Sequence, residues 1–154
     1  MTDHIAAEGR KEIATALTEY FAETTVVYYK THGFHWNVEG SNFYSLHQMF
    51  EKFYQELWES MDEVAERIRT FGEYTPAGLS ELLNHASIQE SIGAPASHIM
   101  ISTLREDYLI LAKKAQEVGA LASEYGDVVT TDMMTEKATF LEKAAWMLQS
   151  SKQN

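Results

Sequence analysis

Apolar side chains recur every three or four residues in four long blocks of this chain, which is the spacing of amphipathic helices. The first block runs from Ile13 to Phe34 and predicts a helix that ends near Asn37. The second block runs from Phe43 to Phe71, and the turn "EGSN" between the two supplies a glycine and a residue suited to cap a helix. The chain is therefore expected to begin with two long helices joined by a tight turn.

The other two blocks follow a central stretch, Phe71 to Ser97, that contains both prolines of the chain. A third helix is predicted over Met100 to Val118 with Ser97 as its cap, and a fourth over Met134 to Leu148 with Thr131 as its cap. Within the central stretch, "LSELLNH" has the composition of a short helix of its own.

These elements predict an all-α fold, an antiparallel four-helix bundle in a single domain over 1–154 with a short N-terminal tail of about residues 1–10. The central stretch is long enough to cross the bundle. We therefore expect a ferritin-like topology in which a long crossover contains the short helix. Simple up-and-down threading of the four helices is the alternative.

Composition narrows the available chemistry. The chain has no cysteine, so any metal ligands are His, Asp or Glu. It has no apolar run long enough to span a bilayer and no basic or apolar leader, which predicts a soluble, cytoplasmic protein without a membrane partner. With 23 acidic and 12 basic residues the formal net charge is −11, and this charge repels phosphate backbones and attracts cations.

The second helix carries another stripe beside its core-facing one. Its members lie at steps of three and four residues: His47, Glu51, Tyr54, Trp58, Asp62 and Glu66. His47 and Glu51 are one turn apart, as are Asp62 and Glu66, and each pair fits one side of a metal ion. Glu51 and Asp62 share a face but lie roughly 16 Å apart along the helix axis. One chain cannot close a site with both pairs.

Two copies of this helix, packed antiparallel about the middle of the stripe, would bring the two pairs together. His35, at the end of the first helix, then lies within about one turn of His47 across the hairpin. The spacing predicts a shared metal site of His35, His47 and Glu51 from one chain with Asp62 and Glu66 from its two-fold partner. Imidazole and carboxylate ligands together suit iron, manganese or zinc better than magnesium or calcium.

Other functions remain open on spacing alone. Charged pairs at helical spacing are commonly part of an exposed helix face, and one such pair would not indicate a site. A di-iron centre inside one bundle would use Glu-x-x-His motifs on two helices, and the chain contains none. A non-enzymatic protein is the other alternative, either a DNA-compacting shell or a plain helical scaffold.

The segment from His35 to Arg67, "HWNVEGSNFYSLHQMFEKFYQELWESMDEVAER", resembles the signature of the DNA-binding proteins from starved cells, the Dps family of mini-ferritins. The resemblance implies a ferritin-like bundle, a hollow homo-dodecamer, and iron sites between two-fold-related subunits. It also implies a ferroxidase that oxidises Fe(II), preferentially with hydrogen peroxide, and stores Fe(III) mineral inside the shell. Consuming both reagents would limit oxidative damage.

Carried over by position, the resemblance gives each candidate residue a role. The family's iron ligands fall on His35, His47, Glu51, Asp62 and Glu66. Glu51 stands where the family more often has Asp, and its extra methylene keeps the charge while extending the reach. Trp36 resembles a tryptophan beside the iron site. The acidic pore at the family's three-fold axes corresponds to Glu124, Asp127 and Asp132.

DNA binding is where this sequence departs from the family's DNA-binding members. Those proteins typically carry a mobile tail rich in Lys and Arg, because contacts with phosphates need cations. Here the first 12 residues contain Arg10 and Lys11 against three acidic residues. We therefore expect weak or absent DNA binding.

Overall fold

A computed structural model of the protein describes residues 2–152, and over this range the chain forms five helices and no strand. The helices are α1 (Ala7–Asn37), α2 (Phe43–Thr70), α3 (Leu79–Leu83), α4 (Ser97–Glu124) and α5 (Val128–Ser150). The four long helices and the short one lie where the apolar pattern predicts them. None of the five is both long and apolar enough to cross a membrane.

Charged pairs between α1 and α4 show how these two helices run. Lys30 pairs with Asp107 at 2.7 Å, and Glu23 pairs with Lys114 at 3.1 Å. Because residue numbers rise along one helix as they fall along the other, α1 and α4 are antiparallel.

Ring contacts between α1 and α2 show that these two helices also run in opposite directions. His35 stacks on His47, and Tyr28 contacts Trp58, so these two helices are also antiparallel. Helices α2 and α4 must then be parallel, which requires the chain to cross the length of the bundle between them. This arrangement confirms the ferritin-like topology and excludes simple up-and-down threading.

The core is formed by large side chains from all four long helices. Among those with less than 2 % of their surface exposed are Tyr20, Tyr108, Phe50, Ile13, Leu17, Leu57, Ile68, Met100, Leu104, Leu111, Met134 and Leu141. Burial of each Leu, Ile, Phe or Met side chain stabilises the fold by about 1.5–3 kcal/mol relative to its exposure. The bundle is therefore held mainly by apolar packing.

Two of the predicted helix caps are wrong. Helix α5 begins three residues before Thr131, because the Asp127 carboxylate accepts a hydrogen bond from the Thr130 backbone N–H at 3.1 Å. The Thr131 hydroxyl instead donates to the Asp127 carbonyl inside the helix. Ser97 is the first residue of α4 and follows Ala96, which occupies the cap position without a side-chain hydrogen bond.

The N-terminal segment lies against the bundle. Helix α1 begins at Ala7, within the expected tail, and Ile5 before it is only 3 % exposed. The Thr2 hydroxyl donates to the Thr70 carbonyl at the end of α2, at 3.3 Å. Residues 2–10 are thus folded, whereas the proposed domain limits at Met1 and Asn154 lie outside the described residues.

Glu23 fastens the crossover to the bundle. Its buried carboxylate accepts hydrogen bonds from the backbone N–H groups of Ser87 and Ile88, at 2.9 and 2.8 Å, and from Lys114 at 3.1 Å. Burial alone raises the pKa of Glu23, but the hydrogen bonds from Ser87, Ile88 and Lys114 together outweigh it and hold the pKa below its ordinary value.

The free energy of unfolding of the Glu23→Gln variant is expected to be about 1–3 kcal/mol lower than that of wild type at neutral pH, because a neutral amide replaces a charged acceptor. Because the pKa of Glu23 is lower in the folded than in the unfolded chain, its charge stabilises the fold fully at a pH above the unfolded-state pKa of about 4.3. This stabilisation is lost as the pH falls through the lower, folded-state pKa. The difference between wild type and variant should therefore shrink in acid. Denaturant unfolding at a series of pH values measures it, and a difference that does not change with pH would refute the role of the charge.

Candidate metal centre

The turn between α1 and α2 brings His35 and His47 together. Helix α1 ends where the Val38 backbone N–H bonds to the Phe34 carbonyl at 2.9 Å. Gly40 then adopts a φ of 107°, a conformation that side chains disfavour, and this lets the chain reverse direction. As a result the two imidazole rings stack with their centroids 3.8 Å apart and their planes inclined by 16°.

The two histidines also hold each other in a fixed orientation. Nδ1 of His35 donates to the His47 carbonyl at 2.8 Å, and Nδ1 of His47 donates to the His35 carbonyl at the same distance. A carbonyl oxygen only accepts, so both Nδ1 atoms carry hydrogen. In the neutral rings Nε2 then holds the free lone pair, which is the state a metal ion requires. The pair is preset to supply two nitrogen ligands.

Aromatic side chains pack around this pair. Phe43 stacks on His47 with centroids 5.0 Å apart, and Tyr54 meets His35 edge-on at 5.1 Å. His35 is only 8 % exposed. The sequence pattern assigned Phe43 to the core, whereas the structure leaves it 44 % exposed and places its ring against a candidate ligand.

The predicted carboxylates lie along the same helix. Glu51 is half-buried one turn after His47, whereas Asp62 and Glu66 are exposed in the C-terminal half of α2. Among residues 2–152, no three His, Cys, Asp or Glu side chains lie close enough together to hold a metal ion. Of the five predicted ligands, the structure therefore brings only the two histidines into contact. The shared five-residue site stays a prediction.

Trp36 and His32 lie beside the pair. Trp36 is 54 % exposed and packs on His32 with centroids 4.1 Å apart. His32 in turn stacks flat on Tyr54 at 3.8 Å. Burial, followed by the charge that His35 carries when protonated, holds the pKa of His32 below its ordinary value. His32 is not among the ligands that the sequence pattern predicts, although its position three residues before His35 places both on one face of α1.

The candidate pore residues occupy different environments. Glu124 and Asp132 are exposed, at the end of α4 and in the first turns of α5. Asp127 is only 1 % exposed and pairs with Arg67 at 2.7 Å. Burial by itself raises the pKa of Asp127, but hydrogen bonds from Thr130 and Arg67 lower it below its ordinary value. Asp127 serves the subunit's own fold, which corrects its assignment to a pore lining.

Comparisons with known proteins agree with the fold. The family described as ferritin-like domain matches residues 14–153. The DNA protection during starvation protein of Brevibacillus brevis is 36 % identical over 138 residues, which cover 90 % of this chain and 93 % of that protein. General stress protein 20U of Bacillus subtilis is 32 % identical, with 91 % and 97 % covered.

Solved structures give the same result. The Dps protein of Vibrio cholerae O1, described as a member of a broad superfamily of ferritin-like diiron-carboxylate proteins, superposes with a TM-score of 0.91 at 32 % identity, covering 95 % of this chain and 92 % of that one. A Dps protein from Bacillus brevis gives 0.89 at 35 % identity, with 93 % and 96 % covered. The fold and the matched domain define a ferritin-like protein. Within that class, the chain belongs to the Dps family.

Proposed function

We propose that this protein is a ferroxidase that oxidises Fe(II), preferentially with hydrogen peroxide, at sites shared between two-fold-related subunits, and stores Fe(III) mineral in a shell of twelve chains. Membership of the Dps family supports a function in iron storage and DNA protection in general terms. The observation that carries the proposal further is the reciprocal bonding of His35 and His47, which leaves both Nε2 atoms free to bind iron.

In the proposed site, each group has a distinct task. His35 and His47 would bind Fe(II) as neutral nitrogen ligands, while Glu51 and the carboxylates of Asp62 and Glu66 from the second chain neutralise the charge that grows as iron is oxidised. Each peroxide takes one electron from each of two Fe(II) ions. The ferric product hydrolyses and releases protons, and the mineral accumulates inside the shell.

A second copy of the chain is the partner that the exposed face of α2 fits best. Trp58 lies between the two ligand pairs and is 60 % exposed, and half-buried Tyr54 lies one turn before it. An exposed tryptophan flanked by acidic and histidine residues of one stripe is suited to a self-complementary contact, because antiparallel pairing places each histidine pair opposite the partner's acids. Glu124 and Asp132 would lie at the pores through which Fe(II) is drawn inward.

Anaerobic titration with Fe(II) followed by peroxide tests the function. Wild-type protein should bind iron stoichiometrically, consume peroxide rapidly and remain as a large assembly in light scattering. Zinc and manganese fit the same ligands, so their competition with Fe(II) shows how selective the site is. A stable folded monomer with full activity would contradict the shared site.

No shift of plasmid DNA is expected in a gel at neutral pH and moderate salt without added divalent cations. The chain carries a formal charge of −11, and an assembly multiplies it, so the protein repels the phosphate backbone over about a Debye length of 10 Å. The N-terminal segment lies against the bundle, with Ile5 buried, and residues 1–12 hold two basic residues against three acidic ones. Protection of DNA would then come from removal of Fe(II) and peroxide, and a clear gel shift would contradict this.

A further inference from the structure

An aromatic cluster leads from His35 across α1 and α2 to the protein surface. Tyr54 lies edge-on to His35 at 5.1 Å, and His32 stacks on Tyr54 at 3.8 Å. Tyr28 lies 6.3 Å from Tyr54 and 5.6 Å from Trp58, all measured between ring centroids. These separations are those of directly contacting rings, so an electron moves between neighbours without crossing a wide gap.

Within this cluster, Tyr28 has a proton acceptor of its own. Its hydroxyl lies 3.0 Å from Nδ1 of His32, one helical turn further along α1. Because phenol is the more acidic group and the imidazole nitrogen the more basic, the Tyr28 O–H donates to His32. Tyr44 offers a contrast, since its hydroxyl accepts a hydrogen bond from the Gln48 amide at 2.8 Å.

We propose that Tyr28 is a redox-active tyrosine that takes up oxidising equivalents from the aromatic cluster, with His32 as its proton acceptor. When an oxidised Trp58 radical cation takes one electron from Tyr28, the phenol O–H bond breaks and an N–H bond forms at Nδ1 of His32. The products are neutral Trp58, a neutral tyrosyl radical and the imidazolium of His32, so charge and electrons balance.

The hydrogen bond decides which tyrosine is oxidised. A phenol that loses an electron becomes a very strong acid, so its oxidation is favourable where a base already accepts the proton. At Tyr28 the proton moves only along an existing hydrogen bond. The consequence is a stable place for the radical on α1, away from the stacked His35 and His47 rings that the site needs intact.

The source of the oxidant rests on the proposed function. When Fe(II) meets peroxide outside the productive reaction, hydroxyl radical forms, and it is reduced to hydroxide by an electron from an exposed indole. Trp36 and Trp58 are the two tryptophans of this cluster, 54 % and 60 % exposed. Their position beside the proposed site suits them to be the first groups oxidised.

Pulse radiolysis of the metal-free assembled protein with azide radicals tests the proposal without iron. Azide radicals take one electron from tryptophan, and transfer of the oxidation from tryptophan to tyrosine, which forms the phenoxyl radical, is followed by absorbance. Tyr28→Phe removes only the hydroxyl, and His32→Phe keeps an aromatic ring but removes the proton acceptor. Each is expected to slow the conversion by about tenfold or more, which corresponds to about 1.4 kcal/mol or more in activation free energy. Tyr44→Phe is the matched control and should convert like wild type.

Conversion at the wild-type rate in Tyr28→Phe would overturn the proposal. So would slowing in Tyr28→Phe without slowing in His32→Phe, because His32 would then not be the proton acceptor. If one of the two variants does not assemble, the conversion rate of the other still tests the proposal. Since no iron is present, failure of this test leaves the ferroxidase proposal intact, and failure of the iron titration leaves this result intact.

Discussion

The His35→Ala/His47→Ala variant is expected to oxidise Fe(II) with peroxide at least about 100-fold more slowly than wild type, because even groups that merely orient a metal ligand change affinity or activity by roughly 10- to 100-fold. The variant loses both Nε2 ligands and both reciprocal hydrogen bonds. Iron binding by anaerobic titration and peroxide consumption by stopped flow measure the two effects separately.

His85→Ala/His98→Ala is the matched control. Both histidines are exposed and lie outside the stacked pair, on the crossover and in the first turn of α4. The control removes the same number of imidazoles and should oxidise iron like wild type. If the His35→Ala/His47→Ala variant kept the wild-type rate while remaining assembled, the site would be wrong.

Arg67→Ala is expected to destabilise the protein by about 3–5 kcal/mol, because it leaves the buried Asp127 charge without its partner. Arg67 donates to Asp127 at 2.7 Å and to the Thr130 hydroxyl at 2.9 Å. The second Asp127 carboxylate oxygen, Oδ2, has no hydrogen-bond partner among the described residues. The contacts of Arg67 with Asp127 and Thr130 fix the start of α5 to α2. Arg67 follows Glu66 directly in the sequence, so the loss of these contacts should also weaken iron binding.

Arg69→Ala provides the control for Arg67→Ala. Arg69 is exposed, donates to the Glu73 carbonyl and lies over the Tyr74 ring, so its removal should cost less than about 1 kcal/mol. Thermal unfolding at one fixed protein concentration compares the variants, because assembly makes the midpoint depend on concentration. Equal losses of stability in the two variants would show that Arg67 does not act through a buried charge.

The helices could be predicted because apolar spacing is a local property of the sequence. The residue at which a helix starts is harder to predict, because several residues can cap the same turn and distant contacts decide between them. At α5 the sequence favoured Thr131, whereas Asp127 caps the helix because Arg67, 60 residues away, also binds its carboxylate. The same distant pair removes Asp127 from the candidate pore.

Only part of the candidate site could be predicted, because spacing within one helix is local whereas contacts between helices are not. Helical spacing predicted that the candidate ligands of α2 lie in one stripe and that His35 lies near His47. Spacing could not show that each ring bonds to the other's backbone carbonyl, because that depends on how closely the turn brings α1 and α2 together. The pair of Tyr28 and His32 is one turn apart on α1, so its spacing was visible in the sequence, but its chemistry depends on the hydrogen bond.

Whether two chains share each site is tested most directly by mixed assembly. One subunit carries His35→Ala/His47→Ala and the other carries Asp62→Asn/Glu66→Gln, so neither forms a complete site alone. The two are unfolded, mixed in equal amounts and reassembled. Random pairing across two-fold axes leaves one intact site in each mixed pair, so we expect about a quarter of the wild-type ferroxidase activity. Mixed assemblies as inactive as either variant alone would contradict a site built from two chains.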